Sequence, residues 1–171
     1  VAWVVGKKAP NIYIGQGADA ILTGMSCNSS LATVPITLRC LERMQVSSQS
    51  ARLAACVGTN LNNDGILLYE GMAFLCVAQA MGMDLSFSQQ LSAAVLCMLT
   101  GMGVAGVPDA GFISLSLVLT AVGVPVENLP LLLSVDWILG RARSVTNVLS
   151  DMTLSIAIDG PGAATKHAKT F

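Results

Sequence analysis

Four apolar stretches separated by short polar breaks account for most of the chain, and they are of two kinds. Residues 53–80 and 131–158 are long, each with the roughly 20 residues that a helix needs to cross a bilayer. Residues 11–46 and 88–123 are instead pairs of short apolar arms around polar tips, SCNSSLATVP at 26–35 and TGMGVAGVPDAG at 100–111. The breaks between stretches, MGMDLSFSQQ at 81–90 and VPVENLP at 124–130, hold turn-forming residues and acids. The pattern predicts helices throughout: two spans and two helical hairpins.

Composition and charge place those helices. The chain has 171 residues, 53% hydrophobic and 11% charged, with a mean hydropathy of +0.67; a soluble domain carries about 25% charge. A net charge of −1 gives no electrostatic footprint for nucleic acid. Cys27, Cys40, Cys56, Cys76 and Cys97 form no CxxC pair and read as small hydrophobes, while His167 lies in a polar tail. Lys7, Lys8, Arg39, Arg43, Arg52, Arg141, Arg143, Lys166 and Lys169 leave Leu53 to Gly140 without a basic residue. Basic loops stay cytoplasmic, so 7–8, 39–52 and the tail at 159–171 are expected inside, and 81–90 and 124–130 outside. Each hairpin then enters and leaves on one side and is re-entrant, with irregular backbone tolerated only where protein or a cavity surrounds it. Residues 1–8, beginning VAWVVG, are expected to be the end of a truncated span and its cytoplasmic loop.

Two polar clusters interrupt the apolar background. Asn62-Asn63-Asp64-Gly65 falls in the middle of the outward span, where unwound backbone and side-chain oxygens suit a hard cation, sodium above all. In the returning span Asp136, Gly140, Arg143, Asn147 and Asp151 are spaced by four, three, four and four residues and fall on one helical face. Arg141 lies off that stripe. Gly101-Met102-Gly103-Val104-Ala105-Gly106 matches GxGxxG, but Pro108 follows at once and no βαβ unit surrounds it, which leaves a soluble dinucleotide-binding enzyme a distant alternative.

Four motifs in order carry a resemblance. SSLATVPITLRCLE at 29–42, NNDGILLYE at 62–70, AGVPDAG at 105–111 and DWILGRARSVTNVLSD at 136–151 resemble the transport core of the glutamate transporter family, the dicarboxylate/amino acid:cation symporters, over residues 9–158. The resemblance implies an all-α membrane protein with two re-entrant hairpins (about 11–46 and 88–123) and two broken transmembrane helices (about 52–80 and 129–158). It further implies a sodium-coupled, elevator-type symporter for acidic amino acids or C4-dicarboxylates. That carrier is a homotrimer in the plasma membrane or bacterial inner membrane and does no enzyme chemistry. By position, Ser29, Ser30, Gly140, Arg143 and Asn147 would meet the anionic solute. Asn62, Asp64, Asn147 and Asp151, with carbonyls near Gly101, Met102 and Val104, would hold Na⁺. Gly106, Pro108, Asp109 and Gly111 would form the gate, and Glu70 would serve coupling to H⁺ and K⁺ as in animal-type members, or be a hydrogen-bonded helix residue. Gly140 stands where amino-acid transporters place an aspartate for the substrate ammonium, which a dicarboxylate lacks. Leu31, Asn63, Ile66 and Asp109 also depart from the family pattern, leaving open a non-transporting or anion-conducting remnant.

Overall fold

The computed structural model describes residues 1–4, 6, 10–103, 110–127 and 129–160, and every regular element among them is a helix. The first pair is α1 (Pro10–Cys27) and α2 (Ser30–Arg43). Two residues reverse the chain between them. Asn28 takes the left-handed conformation (φ +51°), which asparagine tolerates, and its N–H bonds the Gly24 carbonyl at 3.1 Å to close α1. Ser29 is extended, and its hydroxyl accepts the Ala32 N–H at 3.2 Å as the N-cap of α2.

Next come α3 (Ser48–Arg52), a π-helical turn (Leu53–Val57) and α4 (Gly58–Leu61). The helix stops at Asn62 and resumes as α5 (Asp64–Ala80). The second pair, α6 (Phe87–Gly103) and α7 (Ala110–Val122), packs arm against arm, and residues 104–109 between them lie outside the described residues. Then α8 (Leu129–Asp159) runs its 31 residues without interruption, and this corrects the expectation of a second broken helix. Pro130 sits in the first turn, where its missing N–H costs nothing, and Gly140 packs closely enough to stay helical.

Two apolar clusters hold the bundle. Ala20, Cys40, Leu41, Met44, Val148 and Met152 join the first pair to the C-terminal half of α8. Phe74, Val77, Cys97, Leu115 and Leu119 join α5 to the second pair. Small residues set the helix spacing: a Cβ on Gly24 would sit 3.1 Å from Val148 Cγ2, and one on Gly65 2.8 Å from Arg143 Cα. Polar pins reinforce the first cluster, with Tyr13 donating to the Leu149 carbonyl at 2.6 Å and the Ser47 N–H to Asp159 Oδ1 at 3.1 Å.

Outside the clusters many large apolar side chains are exposed. Met72, Phe87, Ile113 and Trp137 are 73, 79, 67 and 63% exposed, a surface that belongs against lipid or an apolar partner. Among the described residues no single helix is both long and apolar enough to cross a membrane. The stretch 53–80 is divided at Asn62, and α8, roughly 46 Å long at ~1.5 Å per residue, carries Asp136, Arg141, Arg143 and Asp151.

Gly65 and Gly71 lie in the same helix and should respond in opposite ways. Gly65→Ala drives a methyl into the α8 backbone, and a loss of about 1–3 kcal/mol is expected. Gly71 has open space around it, so Gly71→Ala should be neutral or stabilise by up to about 1 kcal/mol. Thermal unfolding of the two purified variants checks the contrast.

Candidate functional site

The break in the helix is held open by amides. Asn62 (φ −104°, ψ 65°) and Asn63 (φ −95°, ψ 48°) leave helical geometry, and the groups so freed need partners. The Gly65 N–H, in the first turn of α5, is accepted by Asn147 Oδ1 of α8 at 2.7 Å. Asn147 Nδ2 reaches Asn63 Oδ1 at 3.4 Å, and Asn63 Nδ2 donates to the Gly101 carbonyl at 2.8 Å. The break is thereby tied both to α8 and to the end of α6.

Beside it lies a cluster of oxygen atoms. Asp151, buried on α8, accepts from Asn62 Nδ2 at 3.1 Å (Oδ1) and from Thr59 Oγ1 at 3.1 Å (Oδ2). A Cβ on Gly58 would approach Asp151 Oδ1 to 3.1 Å, so glycine keeps that flank clear. Ser150 accepts from Asn62 Nδ2 at 2.9 Å and donates to Asp64 Oδ2 at 2.5 Å. Asp64 is exposed, so the cluster runs from the bundle interior to its surface. Carboxylate, amide and hydroxyl oxygens of this kind fit a hard monovalent cation. Among the described residues no three His, Cys, Asp or Glu side chains gather.

Further along α8 stands Arg143, buried, with Nη2 2.9 Å from Asp136 Oδ1. Its guanidinium carbon lies 4.2 Å from the centre of the Tyr69 ring on α5, a cation–π contact. Nη1 has no hydrogen-bond partner among the described residues, and a Cβ on Gly111 of α7 would lie 2.9 Å from it. On the other side Gly140 leaves room for the Asn28 amide, whose Oδ1 and Nδ2 would sit 2.8 and 2.9 Å from a Cβ there. Ser144 donates to the same Asn28 Oδ1 at 3.4 Å. The guanidinium is thus enclosed by α5, α8 and the beginnings or ends of both helix pairs, with one donor edge unspent among the described residues. A buried unsatisfied donor is costly, and an anion would satisfy it.

Glu70 of α5 is fully buried. It accepts from Ser114 of α7 and from Thr100 of α6, the latter at 3.3 Å, and so joins the two arms of the second pair.

The five stripe residues Asp136, Gly140, Arg143, Asn147 and Asp151 all face inward. Arg141 instead bonds the Trp137 carbonyl and lies 5.7 Å from its ring. Ser29 is engaged in the α2 cap, while Ser30 is buried with its Oγ unpartnered among the described residues. The Gly101 carbonyl meets Asn63, Met102 is exposed, and Gly111 is buried near Arg143. Val104, Gly106, Pro108 and Asp109 lie outside the described residues. Sequence reading did not single out Thr59, Tyr69, Thr100, Ser114 or Ser150, since hydroxyl groups inside apolar helices commonly bond back within their own helix.

Comparison with known proteins points one way. The model of the Sodium:dicarboxylate symporter family matches residues 1–160. The chain is similar to Excitatory amino acid transporter 1 of Rattus norvegicus, 39% identical over 150 residues, covering 87% of this chain and 28% of that protein. It is 38% identical to the Homo sapiens protein of the same name over the same shares. With Excitatory amino acid transporter 3 of Mus musculus the identity is 40% over 150 residues, or 87% and 29%. The chain thus spans under a third of the length of the curated relatives it matches.

The Glu70 contacts predict a pairwise coupling. Ser114→Ala should cost about 1–3 kcal/mol by stripping a buried acceptor of its donor. The same substitution in a Glu70→Ala background should cost next to nothing. Thr100→Ala should cost less than Ser114→Ala, because its bond to Glu70 is long and its hydroxyl also serves the Leu96 and Cys97 carbonyls. A double-mutant cycle read by thermal unfolding measures all three.

Proposed function

The chain belongs to the Sodium:dicarboxylate symporter family and is a membrane protein, and from that premise we propose that it forms the solute- and ion-binding core of a secondary active transporter. Sodium moving down its gradient drives uptake of an acidic amino acid or C4-dicarboxylate. The observation that carries this reading is the unspent Nη1 edge of buried Arg143, facing Gly111, on the same helix face as the oxygen cluster at Asp151.

In this reading the guanidinium forks onto one carboxylate of the solute, a planar bidentate geometry that lysine could not supply. Asp136 and Tyr69 hold the guanidinium flat and leave its other edge open. Ser30, Ser29 through the backbone at the first tip, and Asn147 complete the anion site. Sodium takes Asn62, Asp64 and Asp151, with carbonyls near Gly101, Met102 and Val104. The second helix pair serves as the gate, with Gly106, Pro108, Asp109 and Gly111 closing over the solute, and the core moves as an elevator within a homotrimer. Glu70, wedged between the arms of that gate, is suited to carry a proton in exchange with potassium.

The energetics are adequate without chemistry. A tenfold sodium gradient supplies about 1.4 kcal/mol per ion, and a potential of 100 mV about 2.3 kcal/mol per net charge. Two or three ions concentrate an anion steeply. Because Gly140 offers no carboxylate to an ammonium and Asn28 fills the space beside it, diacids without an amino group are good solutes.

The test is uptake of radiolabelled succinate and aspartate into proteoliposomes under an inward sodium gradient. Concentrative, sodium-dependent uptake is expected. Uptake that follows only the anion's own gradient would replace this reading with an anion pore. Arg143→Cys should abolish protection by diacids at least tenfold while leaving sodium-dependent thermal stabilisation in place; unchanged diacid binding in that variant would remove Arg143 from the site. In competition assays succinate and aspartate should differ by less than tenfold, and a strict requirement for the α-amino group would contradict the role given to Gly140.

A further inference from the structure

Among the groups around the helix break, Ser150 occupies a position that the reading so far leaves without a task. It follows Leu149 on α8, half-buried, next to Asp151. Its Oγ is 2.5 Å from Asp64 Oδ2, 2.9 Å from Asn62 Nδ2 and 3.2 Å from Asn62 Oδ1. Those three distances involve both residues of the 62–65 segment whose side-chain oxygens the ion reading uses.

A hydroxyl has one proton and two lone pairs. The nearest and most strongly polarising acceptor, the Asp64 carboxylate, takes the proton. One lone pair accepts from Asn62 Nδ2. The second remains, and Asn62 Oδ1, 3.2 Å away, is a further acceptor within reach of the same hydroxyl. One proton cannot serve Asp64 Oδ2 and Asn62 Oδ1 in full, and a cation against these oxygens would make up the shortfall. Asp151 Oδ1 joins the same group through the Asn62 amide at 3.1 Å. Hydroxyl, amide and two carboxylates are then linked side by side, and their oxygens are the hard donors that alkali cations prefer.

From this geometry we propose that Ser150 is a direct ligand of the transported sodium ion and the joint through which α8 and Asp64 share it. The proposal rests on the sodium-coupled reading above and adds a residue to it. Among the described residues, Asp64 makes its side-chain hydrogen bond to Ser150. Without that hydroxyl, the exposed carboxylate loses its tie to the buried Asp151 side of the cluster. A merely structural serine would steady the α8–break contact to the same degree whether or not sodium is present.

Sodium binding itself provides the test, read without transport. The purified chain in detergent is titrated with sodium chloride against choline chloride at constant ionic strength, and the midpoint of thermal stabilisation is recorded. Ser150→Ala is expected to raise the sodium midpoint at least tenfold. Ser150→Thr, which keeps the oxygen, should stay within threefold of the unsubstituted chain. Ser150→Cys, which keeps the size but presents a soft sulfur, should behave like alanine, and it carries the test if the alanine variant is not recovered folded. A Ser150→Ala midpoint within twofold of the unsubstituted chain, with only the sodium-free melting temperature lowered, would overturn the ligand role and leave the symporter reading standing. Equal shifts in the threonine and alanine variants would overturn it as well. Absence of any sodium stabilisation in the unsubstituted chain would take down both.

Discussion

The hydrogen bond from the Gly65 N–H to Asn147 Oδ1, 2.7 Å long, is the contact on which the rest of the architecture depends. A helix interrupted in apolar surroundings exposes donors and acceptors that water cannot reach, each costing several kcal/mol if left alone. The break at Asn62 and Asn63 is therefore possible only because another helix brings polar side chains to it. That helix is α8, and its amide and carboxylate arrive at the required height because four residues separate Asn147 from Asp151 on one face. Close approach comes from Gly65, which lets the α5 backbone rest on that of α8. Break and stripe are two halves of one device.

This pairing explains why the apolar core is split in two. The cluster around Leu41, Met44 and Met152 lies on one side of the polar seam, and the cluster around Phe74, Leu115 and Leu119 lies on the other. A single continuous core would have no place for Arg143, Asn147 and Asp151. The clusters supply the packing that holds the seam closed, and the seam leaves each free to be purely hydrophobic. The π-helical turn at Leu53–Val57 abuts the seam, as such turns do at functional positions. It precedes Thr59, whose hydroxyl is divided between the Ala55 carbonyl and Asp151.

Much of this was legible in the sequence, and the remainder was not for identifiable reasons. Polar residues inside an apolar run stand out, so Asn62, Asp64 and the stripe from Asp136 to Asp151 were visible at once. Helical periodicity then put the stripe on one face, which the structure turns inward. The expectation of a second broken helix came with the family resemblance, and α8 is instead continuous through Gly140. In the bundle it is a packing residue under Asn28, and burial outweighs the ~1 kcal/mol that glycine costs a helix. The hydroxyl residues were hidden for a different reason. Serine and threonine in apolar helices commonly bond back to the carbonyl four residues earlier, as Thr120 and Thr146 do. Nothing local distinguishes those from Ser114 and Ser150, which reach across to other helices. Only the packing of α5 against α7 and α8 makes the difference.

The rigidity of α8 also sets how strongly an ion and an anion can feel each other. Eight residues separate Arg143 from Asp151, roughly 12 Å along a continuous helix at ~1.5 Å per residue. Opposite unit charges at that distance attract by about 1.4 kcal/mol at an effective dielectric constant of 20, close to a tenfold change in affinity. Direct attraction alone therefore gives only modest coupling between two sites so placed. Steeper coupling needs an element that both sites move, and Asn147 lies midway between them. Its amide holds the start of α5 through Gly65 and the break through Asn63, which in turn grips the Gly101 carbonyl at the end of α6. In the proposed transporter, an ion that reoriented the Asn62–Asn63 backbone would pull on the end of α6 through Gly101. Such a linkage acts through hydrogen-bonded backbone rather than through the field, so screening by salt would leave it largely intact.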